Sequence, residues 1–303
     1  MAAFAENPLR GAAADPARYS FETFEVTWPA ENVLNIAMNR PRKLNAQDQL
    51  LWKELKLAFD AASSDPDCRV VLLTGNGRMF TSGIDLQASF LAPKAPADDQ
   101  VKATQPKPDR TDVARAAMHQ FTDILQTQAL FNAIEECRVP VIACIHRACL
   151  GAGVDMVCAA DMRYCTDDAV FAVKEVKLGI AADVGTLQRM PKVMGSESLM
   201  RELAYTGRDF TAAEAKEHGF VSRTFPDRAS LCDYALETAK VIAANSPVAV
   251  AGTKHNLIYS RDHSVEDGLK HEATWNMVML KTEDIPRAAA GFMRKKPANF
   301  SKL

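Results

Sequence analysis

The feature that most constrains the fold is a short, uninterrupted apolar run, RVVLLT, at Arg69–Thr74. A run without polar alternation is the pattern of a strand covered on both faces, and such strands belong to parallel sheets flanked by helices. Pro140–His146 and Val170–Glu175 read as further strands of this kind. Between them lie helical patterns. Trp52, Leu55, Phe59 and Ala62 recur at helical spacing within about 46–62, and Thr111–Cys137 reads as a long amphipathic helix with Met118, Phe121, Leu125 and Phe131 directed inward. Phe21–Trp28 and Val33–Ala37 alternate as strands around a Pro29–Asn32 turn, which predicts a hairpin. From Val184 onward the chain reads as helices at 195–206, 211–218, 228–245, 247–260, 264–281 and 284–294, interrupted by an extended Phe220–Arg223. Early alternation and late helices predict an α/β chain with a helical C-terminal portion.

Composition removes several function classes. With 36 Lys+Arg against 38 Asp+Glu, the net charge of −2 disfavours non-specific nucleic-acid binding and a polybasic membrane surface. No apolar stretch approaches the roughly eighteen residues of a membrane span. The seven cysteines show no C-x-x-C pair and no zinc spacing, so they read as reduced, buried thiols. The six histidines lack ligand spacing and read as surface or helix residues. Residues 93–110 carry four prolines and seven charges, which predicts a mobile surface excursion. The N-terminal twenty residues lack the apolar core of a secretory signal. The final Ser301-Lys302-Leu303 matches the address read by the peroxisomal import receptor, so the expected location is the peroxisome matrix.

Four short segments could carry chemistry. In Phe80-Thr-Ser-Gly-Ile-Asp85, Gly83 permits close backbone approach or an unusual φ, although an ordinary turn has the same composition. Leu150-Gly-Ala-Gly-Val-Asp155 enters a short helix whose free N–H groups could hold a developing oxyanion. Asp155 would also suit the helix dipole for stability alone. In Ala169-Val-Phe-Ala-Val-Lys-Glu175, alternation puts Phe171, Val173 and Glu175 on one face and Lys174 on the other. Glu175 is then either a desolvated acid/base with a raised pKa or a strand-end residue turning to solvent. Asp183, in Gly179-Ile-Ala-Ala-Asp-Val-Gly185, is either a functional acid or the N-cap of the next helix. A dinucleotide fingerprint fails, because Met156 stands at the third glycine position and the helix is too short.

Together, Asn39-Arg-Pro-Arg-Lys-Leu-Asn45, FTSGID, GAGVD and VKE resemble, in order and over about 20–260, the crotonase (enoyl-CoA hydratase/isomerase) superfamily. Longer blocks, such as RYCTDDAVFAVKEVKLGIAADVGTLQRMPKVMG, are similar to a diene-shifting branch of it. The resemblance implies a crotonase-like spiral of β-β-α turns with a helical C-terminal trimerisation region, assembling as a homotrimer or dimer of trimers. It implies an N-terminal extension at 1–19, the spiral core at 20–225, the helical region at 226–300 and the targeting tripeptide at 301–303. The implied substrate is an acyl-CoA thioester, and no metal or redox cofactor is implied.

By motif position, the resemblance makes the backbone N–H groups of Ile84 and Ala152 the oxyanion hole, with Ala152 standing where the family has glycine. Ser82, Gly83, Asp85 and Leu86 would line the substrate site, and Arg40, Arg42 and Lys43 would meet the nucleotide end of CoA. Asp155, Glu175 and Asp183 would be the catalytic acids, drawn from the surface into one acyl pocket. The implied reaction converts a 3,5-dienoyl-CoA to the 2,4-diene. Glu175 removes a proton at C2, Asp183 supplies one at C6, and Asp155 tunes both. The alternatives are an enoyl-CoA hydratase, a monoenoyl-CoA isomerase, or a crotonase-fold binding protein without catalysis.

Overall fold

A computed structural model describes residues 7–88 and 112–303, so the surface excursion expected at 93–110 lies outside the described residues. The main sheet has seven strands: β1 (Ala12–Ala13), β2 (Phe24–Ala30), β3 (Val33–Met38), β4 (Val70–Gly75), β5 (Val141–Ile145), β7 (Met162–Thr166) and β10 (Arg223–Phe225). They lie side by side in that order. β1–β2–β3 is antiparallel, and β3, β4, β5, β7 and β10 run parallel. The RVVLLT run is β4, central and wholly buried. Its alternate side chains feed two cores: Val71 and Leu73 enter one, Val70 and Leu72 the other.

Each core has its helical cover. On the first face, α1 (Gln49–Ser64) buries Leu51, Leu55, Ala58, Phe59 and Ala62, and its start is capped by Asp48, which accepts the Leu51 N–H. On the second face, α7 (Arg228–Ala243) contributes Leu231, Cys232, Ala235, Ala239 and Ala243. A smaller sheet joins β6 (Ala148–Leu150), β8 (Val170–Ala172) and β9 (Phe210–Thr211). The remaining helices are α2 (Val113–Glu136), α3 (Ala152–Cys158), α4 (Thr186–Val193), α5 (Glu197–Thr206), α6 (Ala212–Glu217), α8 (Pro247–Ser260), α9 (Val265–Met279) and α10 (Asp284–Arg294). The α/β architecture with a helical C-terminal region is therefore as expected. Among the described residues no helix is long and apolar enough to cross a membrane.

Three expectations need correction. On α2 only the C-terminal half is buried, through Phe131, Ala133 and Ile134. Met118, Phe121 and Leu125 are 73%, 64% and 47% exposed. Helical spacing shows that residues share a face but not what covers it, and here the core ends below them. The strand expected to reach Glu175 stops at Ala172, and Glu175–Leu178 forms a 3₁₀ turn ended by Gly179 in the left-handed region. His146 is buried and contacts the Gly77 carbonyl at 3.1 Å, and burial pushes its pKa down to about 4.

Candidate active site

Two loops that are distant in sequence meet at the top of the fold. Thr81 donates its N–H to the Ala148 carbonyl at 3.0 Å, and Leu150 N–H reaches the Thr81 carbonyl at 3.3 Å. This pairing lays Ser82–Ile84 against Leu150–Ala152. Gly83 has φ +87°, and a Cβ on it would stand 2.7 Å from the Leu150 carbonyl oxygen, so only glycine fits. Gln47 occupies the Gly83 carbonyl and the Asp85 N–H, which leaves the Ile84 N–H between them. Ala152 opens α3, where the first N–H groups have no helical acceptor. Among the described residues neither Ile84 nor Ala152 donates its N–H to a protein acceptor. Two backbone N–H groups on adjoining loops are thus without a protein acceptor, and both residues line one cavity.

The acids gather beside these donors. Asp155 is fully buried on α3, and its Oδ1 accepts the Thr186 N–H at 2.6 Å while Oδ2 has no partner. Burial, reinforced by the charge of Asp183, raises its pKa to about 6 against the pull of the Thr186 hydrogen bonds. Glu175 is 9% exposed, and its Oε2 also lacks a partner. Burial, then repulsion from Asp155 and Asp183, raises its pKa to about 7. A Cβ on Gly151 would stand 3.3 Å from Glu175 Oε1, so this carboxyl adjoins the donor loop itself. Glu175 is therefore the desolvated acid, not a residue turned to solvent. Lys174 points away, toward Asp209 at 2.5 Å.

Asp183 departs from the cap reading of the sequence and from the expected withdrawal into the pocket. The N-cap of α4 is Gly185, and the helix's first N–H is taken by Asp155 across 31 positions of sequence. Asp183 is not the cap. Nor is it withdrawn from the surface: its side chain is exposed at the rim. It nevertheless lines the same cavity, of about 940 Å³, as Ser82, Gly83, Ile84, Leu86, Ala152, Asp155 and Glu175. Trp52, Ile124, Leu130, Leu178 and Val184 give that cavity apolar walls.

Arg40 and Asp85 do not line it. The Asp85 carboxylate accepts the Ala88 N–H at 3.1 Å and stands 3.5 Å from both Arg40 and Lys43. The Ala88 hydrogen bond, together with those cations and against the cost of burial, holds Asp85 below the usual carboxylate range. Arg40 is turned inward onto Asp48 at 2.8 Å and onto the Ala46 carbonyl. Both brace the loop beneath the site, because burying either charge demands its partner. Arg42 and Lys43 are exposed outside the cavity. Sequence reasoning missed the wall formed by α2, including Gln120, Asp123 and Thr127, whose only signal was their helical spacing. A larger cleft of about 1160 Å³ lies away from these acids, and its charges pair among themselves, as in Arg18–Asp65 and Lys302–Asp67.

The fold and this site define a class. The chain belongs to the enoyl-CoA hydratase/isomerase family, whose sequence model matches residues 29–111 and 108–302. It is 48% identical over 288 residues to the mitochondrial Delta(3,5)-Delta(2,4)-dienoyl-CoA isomerase of Rattus norvegicus, covering 94% of this chain and 84% of that protein. It is 40% identical to the peroxisomal Delta(3,5)-Delta(2,4)-dienoyl-CoA isomerase of Arabidopsis thaliana, covering 94% of this chain and 99% of that protein. Among solved structures, the enoyl-CoA hydratase from Bacillus anthracis superposes with a TM-score of 0.78 at 27% identity, covering 92% of this chain and 99% of that one. The chain thus has the crotonase fold that its motifs implied.

Proposed function

We propose that this chain isomerises 3,5-dienoyl-CoA to 2,4-dienoyl-CoA in the oxidation of unsaturated fatty acids. The observation that carries the reading is Glu175, a buried carboxyl with a partnerless oxygen beside the Gly151 loop, its pKa raised to about 7 by burial and the neighbouring acids. The thioester oxygen accepts hydrogen bonds from the Ile84 and Ala152 N–H groups, which favours charge on that oxygen. Glu175 takes the C2 proton, and the electron pair spreads through the diene as a dienolate. Asp183 delivers a proton at C6 and the double bonds settle at C2 and C4. Asp155 stays buried, and its charge keeps Glu175 basic. One proton leaves and one enters, so the reaction needs no metal or electron acceptor. The 48% identity to a dienoyl-CoA isomerase supports this reaction over hydration. The test is incubation with a 3,5-dienoyl-CoA. The strong ultraviolet band of the conjugated 2,4-dienoyl thioester should grow, and its absence from folded protein would sink the proposal.

Arg42 and Lys43, exposed near the site, are assigned to the CoA phosphates. Exposed apolar residues on the C-terminal helices, among them Val265, Leu269, Phe292 and Met293, support assembly as a trimer or dimer of trimers, which light scattering would measure. The exposed Ser301–Leu303 tripeptide and the peroxisomal plant relative support import into peroxisomes. Deleting the tripeptide should leave the protein in the cytosol.

A further inference from the structure

The Asp183 carboxylate makes no hydrogen bond or ion pair among the described residues, so the contact that restrains this residue is made at its backbone. Asp155, by contrast, is held directly by the Thr186 N–H. What holds the backbone at Asp183 is a polar stripe on α2. Gln128, Asn132 and Glu135 are spaced by four and three residues and so share one helix face. Gln128 Nε2 donates to the carbonyl of Asp183 itself at 2.7 Å. Asn132 Oδ1 accepts from Arg189 Nη2 at 2.7 Å, and Glu135 Oε2 accepts from Arg189 Nη2 at 3.1 Å and from Nε at 3.2 Å.

Arg189 lies in the opening turn of α4, where a cation opposes the helix dipole and gains nothing for the helix. Its partners on α2 keep it there. Its guanidinium covers Gly185, two residues past Asp183: a Cβ at Gly185, whose φ is +138°, would stand 2.2 Å from Arg189 Nη1. Arg261, at the end of α8, also bonds Glu135 and braces the stripe from behind. The segment bearing Asp183 is therefore tied to α2 at its own carbonyl, and Arg189, itself held by α2, packs over Gly185.

We propose that Gln128, Asn132 and Glu135 are positioning residues that hold the Asp183 carboxyl at the distal end of the acyl group, while Glu175 and the Ile84 and Ala152 donors take no hydrogen bond from this stripe among the described residues. The inference rests on the proposed isomerisation. It requires that proton removal at C2 and proton delivery at C6 can be uncoupled from α2.

The test uses the full chain, 3,5-dienoyl-CoA and deuterated water. Gln128→Met keeps the side-chain length and loses the donor, and Asn132→Leu loses the acceptor that Asn132→Asp retains. For the first two variants, formation of the 2,4-diene should fall about tenfold while exchange at C2 stays within about twofold, as expected for a misplaced proton donor. Asn132→Asp should restore both rates. A parallel fall in exchange and isomerisation would mean that α2 acts only on the fold, and unchanged rates would mean that it does not place Asp183. Either result overturns the proposal. Should one variant fail to fold, the other decides. If the unaltered protein neither exchanges C2 nor forms the diene, the isomerase reading itself fails, and this inference falls with it.

Discussion

Replacing Glu175 by glutamine tests the electrostatics of the site before any substrate is added. Burial and two neighbouring acids raise this carboxyl from an ordinary 4.5 to about 7. That rise corresponds to about 3 kcal/mol, at about 1.4 kcal/mol per pH unit. Between these values the folded protein keeps a proton that the unfolded chain has released, so folding stability must fall as pH rises through the interval. The glutamine variant does not titrate and loses this dependence. Its amide also meets the partnerless environment of Oε2, at a cost of about 1–3 kcal/mol. That cost is equal at both pH values and cancels. The assay is urea unfolding of both proteins near pH 5 and near pH 8, followed by tryptophan fluorescence at one fixed protein concentration. The unaltered protein should lose up to about 3 kcal/mol more than the variant between the two conditions. An identical pH dependence in the two proteins would refute the claim that Glu175 is desolvated and would remove the basis for its role as a base.

Three further outcomes follow from the same geometry. With Glu175 as the base, kcat/KM should rise with pH through about 7, and Asp155→Asn, which keeps the acceptor for Thr186 but removes a repelling charge, should move that limb to lower pH. Ala152→Pro deletes one oxyanion donor at the first position of a helix, where proline is tolerated, so kcat should drop about 10²–10³-fold with the circular dichroism spectrum unchanged. Gly185→Ala forces a side chain onto Arg189 at positive φ and should cost about 1–3 kcal/mol in thermal unfolding.

Much of the fold was legible because the relevant forces are local. A run such as RVVLLT has no polar residue to face water, and the central, twice-covered β4 follows from it. The helical spacing of Trp52, Leu55, Phe59 and Ala62 likewise announces a helix, and the last three lie on its buried face. Glycine at 83 and 151 marks two loops, each with positive φ, where the backbone itself contacts its neighbours. Glu175 stood out as an acid continuing the apolar face of Phe171 and Val173. The rest depended on partners far away in sequence. Nothing near Asp85 shows that Arg40 and Lys43 will neutralise it, and nothing near Asp183 shows that the cap of α4 belongs to Asp155.

By itself, then, the sequence determined most of the strands and helices and the two glycine loops, since backbone freedom and apolar periodicity are properties of neighbouring residues, while its resemblance to the family singled out the three acids. Only the tertiary structure decided which acids are buried and what restrains each. It buried Asp155 and Glu175, so that burial and the Asp155 charge raise the pKa of Glu175, left Asp183 at the rim on a segment tied to α2, and turned Arg40 and Asp85 into braces. Desolvation and charge coupling depend on distances across the folded chain, and those distances exist only once the two sheets and their helices have packed.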